Sequence, residues 1–157
     1  MKKYGVPIIT IFLVVLATGL YGETGQQPRW NISLSGDIIL PEEGFDLGID
    51  MAVGYNLTRL VELEGDLNIN FIHGVYFLSG GVVLGNSAVK KRILSPYVLG
   101  GLVCGGISGE GGGSGGMLGG GIKILHKEGM VRFDLRFYFF PGVIWKKLSI
   151  GYIWTFD

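Results

Sequence analysis

The charged residues of this chain are few, and many of them fall at alternate positions. Glu62, Glu64 and Asp66 recur at every second residue, and so do Arg132, Asp134 and Arg136. Side chains at that spacing share one face of an extended strand, because successive residues point to opposite sides. Asp50, Lys123 and Lys147 fall in the same phase of their own segments, as do Asp37 and Asp46. The set holds both signs, so its natural chemistry is mutual pairing inside a confined space.

Other reactive residues are sparse. His73 and His126 are the two histidines. His126 is followed by Lys127 and Glu128, with no Ser two residues on, and His73 has Ser79 only farther along. Both are read as turn or interface residues, and two histidines at opposite ends make no metal site. Cys104 is the single cysteine, so it forms no internal disulfide, and it has no neighbour at metal-ligand spacing. The run from Gly105 to Gly121 contains G-x-G-x-x-G matches. No Gly-Lys-Ser/Thr and no helix follow, so the phosphate-binding reading fails on context. No catalytic, cofactor or metal site is assigned.

The elements that must carry the charges are strands. The chain has 157 residues, which suits one domain. Its 29 glycines disfavour helices, while 12% aromatic and only 17% charged residues make it strongly apolar, a mixture that a sheet in contact with lipid combines. Period-2 alternation recurs along it. In 61–71, Val61, Leu63, Leu67, Ile69 and Phe71 oppose Glu62, Glu64, Asp66, Asn68 and Asn70. In 130–140, Val131, Phe133, Leu135, Phe137 and Phe139 oppose Arg132, Asp134, Arg136 and Tyr138. The segments 75–84, 96–106 and 116–126 are rich in glycine and aliphatics, and their polar face is weak. Eight strands are expected, at 30–40, 45–56, 60–72, 75–84, 95–106, 115–126, 129–140 and 146–156. Each has about the 9–11 residues that a tilted strand needs to cross a bilayer.

The first 22 residues read differently. Lys2 and Lys3 precede an apolar run from Ile8 to Ala17, and small residues follow at Ala17, Gly19 and Gly22. This is the pattern of a secretory signal, cleaved after Gly19 or Gly22. Its apolar core is shorter than the ~20 residues of a spanning helix. Residues 23–29 are expected to form a short periplasmic tail, and 30–157 the folded domain. The balanced charge and the lack of a basic patch with interleaved aromatics exclude a nucleic-acid partner.

Two features decide which face meets the core. Trp30, Phe45, Tyr55, Phe71, Phe139, Trp154 and Phe156 cluster at strand ends on the apolar face, as interfacial aromatic girdles do. The opposite face holds charges of both signs, and a Lys or Arg turned to the bilayer midplane costs ~2–4 kcal/mol. The expected fold is therefore all-β: a transmembrane antiparallel up-and-down β-barrel of eight strands, apolar outside. A barrel of eight strands is just wide enough for its side chains to fill. The polar network expected inside comprises Asp50, Glu62, Glu64, Asp66, Lys123, Arg132, Asp134, Arg136 and Lys147.

With these segments in place, the chain resembles the small outer-membrane β-barrel domain family of the OmpA/OmpX-like eight-strand type. The stretches that carry the resemblance are Gly54-Tyr55-Asn56-Leu57-Thr58 leading into Val61-Glu62-Leu63-Glu64-Gly65, Ser95-Pro96-Tyr97-Val98-Leu99-Gly100-Gly101-Leu102, and the C-terminal Ser149 to Phe156. The resemblance implies that Gly151, Trp154 and Phe156 form the signal read by the barrel assembly machinery, although Asp157 follows the usual terminal aromatic. It also implies periplasmic termini, which places 41–44, 73–74, 107–114 and 141–145 outside the cell. Lys90-Lys91-Arg92 then falls in a periplasmic turn and reads as solvated.

The function expected is that of a monomeric, non-enzymatic outer-membrane barrel with a plugged interior, structural or surface-interacting, whose partners are outer-membrane lipid and the assembly machinery. A small-solute channel, a soluble periplasmic ligand-binding barrel and a lipid-modifying barrel enzyme are the alternatives.

Overall fold

A computed structural model describes residues 30–41, 44–58, 60–85, 93–108, 111–126 and 129–156. The leader, the tail, Lys90-Lys91-Arg92 and Asp157 lie outside the described residues. Eight strands follow in chain order: β1 Trp30–Leu40, β2 Asp46–Asn56, β3 Val61–Asn70, β4 Val75–Gly85, β5 Leu94–Ile107, β6 Gly111–His126, β7 Gly129–Phe140 and β8 Val143–Phe156. Each pairs antiparallel with the next, and β8 pairs back onto β1 from Trp30↔Phe156 to Leu40↔Lys146. The expected closed up-and-down barrel of eight strands is the fold found.

Closure leaves no sheet edge along β1, so the ladder satisfies its backbone groups without solvent. Alternation then sets the two surfaces. β1 reads exposed and buried in strict turn, with Trp30, Ile32, Leu34 and Ile38 outward and Asn31, Ser33, Ser35 and Asp37 inward. The barrel is inverted relative to a soluble protein, with aliphatics outside and carboxylates within.

Four strands run longer than expected, β4 by one residue, to Gly85. β6 begins at Gly111 in place of residue 115, β8 at Val143 in place of 146, and β5 spans Leu94–Ile107. The Gly111–Gly115 backbone shows no alternation because it carries almost no side chains, yet it ladders fully with β5 from Ile107↔Gly111 onward. β2 is trimmed at Phe45, and β3 at Leu60 and at Phe71-Ile72, where the chain turns. The connections at the end opposite the termini are consequently 41–45, 71–74, 108–110 and 141–142. The loops expected at 107–114 and 141–145 are shorter still. At the last of them Pro141 fixes one backbone angle and Gly142 takes φ 84°, which a residue with a Cβ adopts reluctantly.

The interior is divided. Inward residues of β1, β2, β3, β7 and β8 are largely polar or charged, while β4 and β5 line it with Val75, Phe77, Val83, Leu99 and Val103. Near the loop end Phe77 packs on Tyr138, Phe140 and Trp145, with ring centroids 4.8, 5.8 and 5.4 Å apart. The expected polar network occupies part of the interior and an apolar sector the rest. The weak polar face of the middle segments marks that sector.

Candidate functional site

The charged residues converge because of strand order. β3 and β7 are four strands apart in a ring of eight, so their inward side chains meet across the bore. Arg132 binds Glu64 through both terminal guanidinium nitrogens, with Nη2 3.1 Å from Oε1, and reaches Asp134 at 2.9 Å. Arg136 donates to Glu64 at 2.8 Å, to Asp66 at 2.6 Å and to Asp134 at 2.8 Å. Planar guanidiniums suit this task because each offers several donors in a fixed fork.

Two further pairs flank that centre. Lys123 of β6 meets Glu62 of β3 at 2.7 Å, and Asn31 donates to the other Glu62 oxygen at 3.0 Å. Lys147 of β8 meets Asp50 of β2 at 2.5 Å. All nine residues of the expected network are buried, and each has an ionic partner inside the barrel. Asp37 accepts from Asn68 at 2.8 Å, and Asn68 in turn accepts from Asn70. Asp46 sits higher, where its carboxylate accepts from the backbone of Ile72 at 2.9 Å and of His73 at 3.1 Å. It braces the β3–β4 turn, and the His73 ring lies 3.5 Å from it.

Inward glycines make room for these long side chains. A Cβ at Gly121 would lie 2.7 Å from the Tyr97 hydroxyl, the group that accepts from Arg132 Nε at 2.7 Å. A Cβ at Gly54 would run into the Asn31 and Glu62 side chains that meet above it. The participation of Tyr97 was not singled out from the sequence. Its phase, shared with Ser95 and Leu99, is the signal that points it inward. Ser79, which donates to Asp66 at 2.5 Å, lies on the same apolar sector and was missed for the same reason. Arg132 and Lys123 also stack over the Tyr97 ring, at 4.9 and 5.3 Å from its centroid.

The outer wall is a second surface. Trp154 and Phe156 face outward and are 44% and 49% exposed, beside Trp30 on the adjoining strand. Gly151 is inward, wedged between Ser35 and Arg132 across its two ladders, where a Cβ would lie 2.6 Å from the Ser35 Cβ. Tyr152 and Trp154 pack at 4.9 Å, and Trp30 and Tyr55 at 4.7 Å. His126 is on this outer side, with Tyr152 donating to its carbonyl at 3.1 Å. The two histidines are therefore at opposite ends of the barrel. Cys104 is exposed on the outer face of β5. Among the described residues, no group of three or more His, Cys, Asp or Glu is placed to hold a metal ion.

No family model and no curated protein matches the chain. Solved structures do share its architecture. The N-terminal β-barrel domain of Pseudomonas aeruginosa OprF matches with a TM-score of 0.59 and 19% identity, over 82% of this chain and 100% of that one. Neisserial surface protein A matches with a TM-score of 0.61 and 12% identity, over 85% and 100%. Ail, the attachment invasion locus protein of Yersinia pestis, matches with 0.58 and 13%, over 83% and 100%. Identities this low speak to the fold alone, and the fold is the one these three barrels share: the chain has the closed, eight-stranded antiparallel architecture of the small outer-membrane β-barrels.

Proposed function

We propose that this chain is an integral protein of the bacterial outer membrane whose filled barrel serves a structural or surface-interacting role, without catalysis and without a conducting pore. The observation that carries this reading is the inversion of the barrel. Arg132, Arg136, Lys123 and Lys147 are almost wholly buried, while Leu67, Met51, Ile150 and Leu118 are 43%, 57%, 54% and 58% exposed. In water such a surface aggregates, since soluble monomers rarely expose a contiguous apolar band. Against lipid it is the stable arrangement.

Ion pairs that cross the bore from β3 to β7 support a closed lumen, as does the Phe77, Tyr138, Phe140 and Trp145 cluster near the loop end. Short connections at that end leave little surface for a large receptor. The partners consistent with this reading are outer-membrane lipid around a monomer, and the assembly machinery that reads Gly151, Trp154 and Phe156 during insertion. Planar-bilayer recording of the refolded chain is the test. The expected result is a quiet membrane, and stable ion steps would replace the plugged barrel with a channel.

A further inference from the structure

The outward positions of the eight strands hold one charged residue among those described, Lys146 of β8. Its ladder neighbours are Leu40 and Phe137, and it has no ionic partner among the described residues. It lies three residues below the loop-end start of its strand. An ammonium on a hydrocarbon-facing wall is costly unless its flexible stem carries the charge up to the headgroup level. A bound anion there removes more of that cost.

The wall directly beneath Lys146 is not smooth. Leu148 follows on the same face, and an open groove of about 840 Å³ runs past it between Ile38, Leu135, Ile150 and Phe133. Gly36 forms part of its floor, and the space where a Cβ would stand is empty. The depression is wide open on the outer wall, a shape suited to an extended acyl chain lying along it and not to an enclosed ligand. The ammonium above and the apolar trough below are thus stacked along one strand, in the order of a phosphate and the acyl chain beneath it.

We propose that this wall is a docking site for one anionic phospholipid of the leaflet at the loop end, a lipid whose phosphate charge is not balanced by a headgroup cation, with that phosphate on Lys146 and an acyl chain in the groove over Gly36. The proposal rests on the outer-membrane reading above. A lysine is an apt phosphate partner because it acts as a compact point charge. Charge complementarity selects the lipid, and the groove fixes its position on the barrel.

The test is native mass spectrometry of the full chain refolded in neutral detergent, titrated with dimyristoyl phosphatidic acid or dimyristoyl phosphatidylcholine. One phosphatidic acid should be retained per barrel at about tenfold lower concentration than phosphatidylcholine, the size expected of one charge-assisted contact. Lys146→Gln should erase that preference. Gly36→Leu, which meets only open space, should weaken retention of both lipids while leaving the barrel folded. Equal retention of the two lipids, or a preference that survives Lys146→Gln, overturns the site. A folded barrel without preference removes the lipid site alone, whereas a chain with no heat-modifiable band in detergent removes the membrane reading with it.

Discussion

Glu64→Gln keeps the shape of the side chain and deletes the charge that two buried arginines share. Arg132 would keep Asp134 at 2.9 Å and Tyr97 at 2.7 Å, and Arg136 would keep Asp66 at 2.6 Å and Asp134 at 2.8 Å. Breaking a buried ion pair by removing one partner costs ~3–5 kcal/mol. The surviving partners place this loss at the low end, about 3 kcal/mol, or roughly 150-fold in the folding equilibrium. Urea unfolding in lipid vesicles, followed by the fluorescence of Trp30, Trp145 and Trp154, measures it by linear extrapolation. The double variant Glu64→Gln with Arg132→Met separates pairing from packing, because the second change removes the cation left short of a partner. A coupling energy of about 1.5 kcal/mol or more is expected between the two sites. A single-variant loss below about 1 kcal/mol, or losses that simply add, would refute the argument that the pair is closed and buried.

Three further outcomes follow from the same geometry. Phe77→Ala empties the centre of the aromatic cluster with Tyr138, Phe140 and Trp145 and should cost about 3–5 kcal/mol in the same unfolding assay, more than any outward Leu→Ala change. Leu67→Arg puts a charge on the outer face of β3 and should cost ~2–4 kcal/mol in vesicles, whereas a barrel with water outside would tolerate it. Phe156→Ala should lower the amount of barrel assembled in cells while leaving refolding in detergent largely unchanged, which comparing cellular yield with refolded yield will show; equal losses in both would make Phe156 a stability residue and not part of a signal.

Much of the architecture was legible because a membrane barrel writes its two faces into the chain. Glu62 to Asn70 and Arg132 to Tyr138 alternate cleanly, and each clean segment became a strand with the expected face inward. The ring order then explains what spacing alone does not contain. That Glu64 meets Arg132 depends on β3 and β7 facing each other across the bore, and that Asp50 meets Lys147 depends on closure, which sets β2 and β8 on either side of β1. The glycine-rich segments were less legible for a physical reason. Four of the five residues from Gly111 to Gly115 are glycines with no side chain to alternate, so the start of β6 was set four residues late. The apolar sector of the interior was hidden because Val75, Phe77 and Val103 resemble their outward neighbours in kind, and only the ladder register assigns them to the inside. The outward face of Lys146 follows from the inward placing of Lys147, since the pleat turns adjacent residues to opposite sides.

The most direct test of the inverted barrel is gel mobility of the outer-membrane fraction from cells expressing the full chain, loaded with and without boiling. The chain should remain in that fraction after a urea wash and migrate differently before and after heating, as a closed barrel does. Recovery in the soluble periplasm, or a single mobility under both conditions, would contradict a lipid-facing barrel closed around its buried charges.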